Sequence, residues 1–235
     1  MSAALITGAS KGFGRALALD LAAGGWDLVV DARGAEALEE VATRLRSVGT
    51  GSIRAIVGDV ADPDHRARLV GELEGSGRLD LLVNNASVLG PSPQPTLDRY
   101  PLDALADVYR VNVLGPLGLI QAALPVLRAS RGTIVNVTSD AAVEGYEGWG
   151  GYGSSKAALE QLTNVLASEE PGLRVYRFDP GDMRTRMHQE AFPGEDISDR
   201  PEPEDEAVPA LVHLIESGRP SGRYRVSDLR EEVVS

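Results

Sequence analysis

Ala3-Ala4-Leu5-Ile6 runs directly into Thr7-Gly8-Ala9-Ser10-Lys11-Gly12-Phe13-Gly14, and a helix-period stretch follows to Ala23. A strand, a glycine-rich turn and a helix in that order form the opening unit of a nucleotide-binding sheet. Glycines permit the tight turn and let backbone approach a pyrophosphate. The helix beyond presents unpaired N–H groups and the positive end of its dipole to the phosphates.

The same alternation continues along the chain. Apolar runs at Leu28–Val30, Ile53–Val57, Leu79–Val83, Thr133–Val137, Leu173–Phe178 and Arg223–Val226 read as strands. Between them, Ala35–Val48, Arg66–Leu73, Leu102–Leu127, Ser154–Ser168 and Ala207–Glu216 carry helical periodicity. Strand and helix in strict alternation predict an α/β fold, a doubly wound parallel sheet with helices on both faces. Several strands lack polar alternation, as expected when both sheet faces are covered. No repeat or second domain is visible in residues 1–235. The stretches 89–95 and 193–206 trail the carboxyl ends of strands, where such sheets bind ligands. The second reads equally as a solvated acidic linker or as a mobile substrate lid, which with the residues from Met183 onward would span 183–206.

Composition narrows the partners. The chain has 235 residues, is 43% hydrophobic and 25% charged, and carries a formal charge of −12. Such acidity disfavours nucleic acid and anionic membrane surfaces. There is no cysteine, which excludes thiolate chemistry, and three histidines form no spaced metal cluster. No uninterrupted apolar run is long enough for a membrane span, and no signal segment is evident. Cytoplasm is the expected location.

Of 23 basic residues only two are lysine, and both stand at chemically telling places. Lys11 lies in the glycine turn. Lys156 follows Tyr152 by four residues, so the two share one helix face. Given the composition, about 0.05 chance matches to Tyr-x-x-x-Lys are expected. An unperturbed phenol, with pKa about 10, is a poor base at neutral pH. A neighbouring ammonium is expected to favour the phenolate and lower that value, preparing Tyr152 for proton exchange during carbonyl reduction or alcohol oxidation. Ser139, ending the fifth strand, is placed to hold the substrate oxygen. Asn112 lies in a predicted helix four residues before Pro116, so its carbonyl loses its helical donor; a kink and a water link to Lys156 are expected.

The second strand ends Val30-Asp31-Ala32-Arg33. An aspartate there suits the ribose hydroxyls of NAD, and an arginine suits the extra phosphate of NADP. With Lys11 at the same corner, NADP(H) is the expected cofactor, NAD(H) the other possibility. Asp59 is placed to meet the adenine amino group or to cap the helix starting near Pro63. Tyr146, Trp149 and Met183–Phe192 are expected to wall the substrate pocket, with Arg184, Arg186 and His188 read as solvated loop residues.

Together Thr7–Gly14, Asp59, Asn84-Asn85-Ala86, Asn112, Ser139, Tyr152, Lys156, Pro180-Gly181 and Thr185 resemble the short-chain dehydrogenase/reductase family. The resemblance implies a single-domain, seven-stranded Rossmann fold and an NADP(H)-dependent oxidoreductase acting on a small carbonyl or alcohol. It implies a catalytic tetrad of Asn112, Ser139, Tyr152 and Lys156. It implies cofactor contacts from Gly8, Ser10, Lys11, Gly12, Phe13, Gly14, Arg33, Asp59, Val60, Asn85, Ala86, Tyr152, Lys156, Pro180, Gly181, Met183 and Thr185. A homodimer or homotetramer is usual there. Three features depart from the pattern: Ser87 replaces the glycine that usually closes Asn-Asn-Ala-Gly, the segment after Gly181 is polar, and the C-terminus lacks the Gly-rich ending common in tetramers. A catalytically silent Rossmann sensor or scaffold is the rival reading, which intact Ser139, Tyr152 and Lys156 disfavour.

Overall fold

The computed structural model describes residues 2–73 and 77–233. Met1, residues 74–76 and residues 234–235, which the one-domain reading includes, lie outside the described residues. Strands β1 (Ala3–Ile6), β2 (Asp27–Ala32), β3 (Ile53–Val57), β4 (Leu81–Asn84), β5 (Thr133–Val137), β6 (Arg174–Asp179) and β7 (Gly222–Arg225) form one sheet in the order β3-β2-β1-β4-β5-β6-β7. Every pairing is parallel. The order reverses between β1 and β4, and a crevice opens at the carboxyl ends there, as this topology requires.

Alternate residues of each strand explain the two-sided core. Ile6, Val30, Val83, Val137 and Phe178 face helices α1 (Gly12–Ala23), α2 (Ala35–Val48), α8 (Ala207–Ser217) and α9 (Val226–Val233). Leu5, Val29, Leu82, Ile134 and Val175 face α3 (Pro63–Gly71) and α5 (Gly115–Ser130), with α6 (Gly150–Glu169) packed at the margin. In α2 the buried residues Leu38, Val41, Ala42 and Leu45 recur at helix spacing and supply its inner face.

Sequence boundaries shift where caps and turns intervene. Helix α3 begins at Pro63 because Asp62 caps it, accepting from the Asp64 N–H at 2.9 Å. Asp59 is not that cap; its Oδ1 accepts from the Ala61 N–H at 2.9 Å. Helix α6 starts four residues before the expected Ser154, and its Gly151 and Gly153 admit neighbours closely. A Cβ at those positions would lie 2.1 Å from the Tyr100 hydroxyl and 2.6 Å from the Ala141 carbonyl.

Helices α4 (Leu102–Tyr109) and α5 are joined by a π turn, Arg110–Leu114. The disruption foreseen at Pro116 takes this form, an extra residue in one turn. By length and composition the continuous stretch Leu102–Ser130 is apolar enough to cross a membrane. Its Leu119, Ile120, Ala123 and Leu127 are instead buried against the sheet.

Candidate active site

The glycine turn is held from three sides. Gly8 has φ of +68°, and a Cβ there would lie 2.9 Å from Ala86 Cα. Asn85 Nδ2 donates to the Thr7 carbonyl at 2.8 Å, while Thr7 Oγ1 accepts from the Asn85 and Ala86 N–H groups, both at 3.0 Å. A Cβ on Gly14 would collide with Asn85 Nδ2 at 2.3 Å, so this glycine works beneath the turn and does not line the cleft.

Asp31 supplies the third hold. One carboxylate oxygen accepts from the Gly8 N–H at 2.8 Å, and the other meets His65 Nε2 at 2.8 Å. Its carbonyl accepts from the Ala9 N–H at 2.9 Å. Asp31 is 1% exposed, and burial pushes its carboxyl up despite the bonds from His65 and Gly8. Both oxygens are thus engaged within the protein, although Asp31 also borders the cleft. Asp31 is thereby part of the framework under the glycine turn, while Arg33 is exposed at the edge of the same cleft. His65 escaped the sequence reading because its partner is 34 residues away.

A cleft of about 490 Å3 opens above the turn. Gly8, Ser10, Lys11, Gly12, Asp59, Val60, Asn85 and Ala86 line one side; Pro180, Gly181, Met183 and Thr185 line the other. Phe13 reaches it only by an edge, being buried and stacked on Phe178 with ring centres 5.8 Å apart. Lys11 and Arg33 are exposed at the lip and form no ion pair among the described residues. A glycine cradle without room for side chains, a helix N-terminus and two cations fit a dinucleotide bearing an additional phosphate.

Ser139, Tyr152 and Lys156 meet where this cleft passes the end of β5. Lys156 Nζ donates to the Val137 carbonyl at 2.8 Å and stands 5.4 Å from the centre of the Tyr152 ring. Lys156 is 2% exposed, and burial pushes its ammonium down to about 8. The expected lowering of the phenol is not found. Burial raises the Tyr152 pKa well above its usual value, and the Asp179 and Asp140 carboxylates add to the rise. The Ser87 and Ser139 hydroxyls act the other way, as hydrogen-bonding neighbours of the phenol. In the protein alone, the Tyr152 phenol thus keeps its proton at neutral pH.

Asn112 lies outside the cleft lining, 1% exposed on the π turn. Its Oδ1 accepts from the Val88 N–H at 2.9 Å and from Ser87 Oγ at 3.1 Å. Its Nδ2 donates to the Val88 carbonyl at 2.9 Å and to Ser155 Oγ at 3.0 Å. The side chain joins the exit of β4 to α6. Ser87 therefore turns toward Asn112 and the phenol, which the usual glycine could not do.

Around Trp149 the cleft is aromatic and acidic. Trp149 contacts Tyr146, Tyr152 and Phe192 with ring centres 6.2, 5.8 and 5.7 Å apart. Asp140 accepts from Ser139 Oγ at 2.8 Å and from the Tyr146 hydroxyl at 2.9 Å. Thr185 caps the short helix α7 (Arg186–Ala191), accepting from the His188 N–H at 3.2 Å. Arg184 pairs with Glu202 and Arg186 with Glu190, so neither is a bare loop cation. Segment 183–206 is also tied outward, through Arg15 and Glu204 at 3.6 Å and through Ser92 Oγ to the Glu190 carbonyl at 2.7 Å.

Known proteins share this architecture. The family model for short chain dehydrogenase matches residues 2–196. A rhamnolipids-biosynthesis 3-oxoacyl-(acyl-carrier-protein) reductase of Pseudomonas aeruginosa is 38% identical over 194 residues, covering 78% of this chain and 73% of the relative. Bovine (Bos taurus) sepiapterin reductase is 36% identical over 198 residues, covering 79% and 74%. A short chain dehydrogenase of Shigella flexneri, solved as a complex with NADP, superposes with a TM-score of 0.90 at 30% identity, covering 96% and 97% of the two chains. Sheet order, glycine turn and matched length converge: the chain belongs to the short-chain dehydrogenase family of oxidoreductases.

Proposed function

We propose that this protein is an NADP(H)-dependent oxidoreductase that interconverts a small ketone or aldehyde and the corresponding alcohol, with Tyr152 as the acid/base. The observation that carries the reading is the phenol of Tyr152 set beside Ser139 and Lys156 at the inner end of a glycine-floored cleft. Lys11 and Arg33 would hold the extra phosphate of the cofactor, which supplies the hydride when bound. The NADP complex of the Shigella flexneri relative and the 5-hydroxy-NADP complex of a Thermococcus sibiricus alcohol dehydrogenase support that choice.

The residues suit reduction at neutral pH. Ser139 leaves Asp140 to donate to the substrate oxygen. Tyr152, kept protonated by burial and two carboxylates, delivers its proton to the same oxygen as negative charge develops there. Lys156, one helical turn away, offsets the charge then left on the phenolate. Trp149 and its aromatic neighbours exclude water from one side. The same reading takes the protein to be a cytoplasmic homodimer or homotetramer, supported by apolar surface at Leu102, Leu114, Leu162 and Val165.

NADPH consumption across a panel of ketones, aldehydes and quinones tests the reading. Turnover with at least one carbonyl, preference for NADPH over NADH, and loss of about 1,000-fold or more in kcat for Tyr152→Phe with cofactor affinity retained are expected. Tight NADPH binding without turnover of any carbonyl contradicts it.

A further inference from the structure

Arg223 stands on the edge strand β7, remote in sequence from every site motif, yet its side chain is only 16% exposed. Its Nε donates to Glu160 Oε1 at 2.8 Å. Its Nη2 donates to Asp179 Oδ2 at 2.9 Å and to the Ser139 carbonyl at 3.2 Å. Glu160 follows Tyr152 and Lys156 at successive four-residue steps on α6, and its Oε1 also accepts from Thr138 Oγ1 at 2.7 Å. Asp179 Oδ1 accepts from the Gly181 N–H at 3.1 Å. One guanidinium thus joins the helix bearing Tyr152 and Lys156, the strand exit bearing Ser139, and the strand exit leading to Pro180-Gly181.

Stability alone does not account for this arrangement. A buried ionic cluster is weak evidence of stabilisation, because desolvation offsets most of its attraction and apolar residues of like volume often do as well. What a planar guanidinium adds is direction: bonds to three fixed acceptors from one rigid plane. Catalysis is sensitive to displacements of about 1 Å between reacting groups. Glu160 and Asp179 are themselves almost fully buried, so the plane cannot tilt without stranding a charge.

We propose that Arg223 is a positioning residue that fixes Ser139 against Tyr152; this rests on the oxidoreductase reading above. The test compares Arg223→Met, Arg223→Lys and a charge-free triple variant, Arg223→Met with Glu160→Gln and Asp179→Asn. Arg223→Met should lower both Tm and kcat, while the triple variant should regain most of the lost Tm and still show kcat down by more than tenfold, with KM for NADPH within about twofold. Arg223→Lys should fall between wild type and Arg223→Met. Recovery of kcat together with Tm in the triple variant, or an unchanged kcat in Arg223→Met, overturns the proposal. A second readout needs no substrate: the Cζ resonance of 13C-labelled Tyr152, assigned with Tyr152→Phe, should broaden or split in the triple variant. A single sharp resonance, shifted or not, also overturns it, because loss of the Asp179 charge alone shifts the line without broadening or splitting it. A wild-type protein that turns over no carbonyl, yet whose Tyr152 signal responds as stated, counts against the oxidoreductase reading and leaves the positioning role standing.

Discussion

Lys156 is charged at neutral pH although it is buried, and this has a measurable cost. Its folded-state value of about 8 lies below the usual lysine range. Below pH 8 both folded and unfolded chains hold the proton and the penalty is full. Between 8 and the unfolded value only the unfolded chain keeps it, so stability rises with pH across that window, by about 3 kcal/mol at most. Lys156→Met should therefore abolish activity yet raise Tm by a few degrees at pH 7, with the gain shrinking toward pH 10; a lower Tm at pH 7 contradicts this account. Arg33 and Asp31 also separate by experiment. Arg33→Ala should raise KM for NADPH about tenfold and leave NADH nearly unchanged, whereas Asp31→Ala should weaken both cofactors together and lower Tm, because it releases the glycine turn and takes away the buried partner of His65 Nε2. Cofactor kinetics with calorimetry check both. The spacing of Tyr152 and Lys156 was legible because four residues on a helix fix a shared face. The rise in the Tyr152 pKa was not, since burial and the Asp140 and Asp179 charges come from parts of the fold that no local spacing records.

Elements were legible where both flanks were covered. Apolar strands such as β1 and β5 stand out because each face meets helices, and their ends fall where the sequence reading puts them. Helix α7 was not foreseen: at six residues with none buried, it carries no apolar stripe, and its cap at Thr185 gave the usable signal. The π turn was half legible. Pro116 announced a disruption, but its form depends on Asn112 reaching Val88 and Ser155 on two other elements. Asn112→Ala removes four hydrogen bonds at one stroke and leaves the Val88 N–H and carbonyl without that partner. It should cost several kcal/mol in denaturant unfolding and lower kcat at least tenfold. Activity and stability both near wild type would show the clamp to be dispensable.

At the scale of the whole molecule, the leucines at 102 and 114 leave 77% and 55% of their surface in water, and Leu162 and Val165 on α6 are exposed as well. The homo-oligomer proposed above would cover apolar surface of this kind. Sedimentation should give a dimer or tetramer, and Leu102→Asp with Leu114→Asp should shift it toward monomer; a monomeric wild type refutes the assembly. The two lysines close the picture at this scale. One stands at the open lip of the cleft, and the other is buried beside Tyr152 at its inner end. An amine-directed acyl label therefore divides the chain into a tagged threshold and an untouched interior. Apart from any α-amine, the second tag arrives only on molecules that have opened, which makes lysine labelling a direct census of the unfolded population.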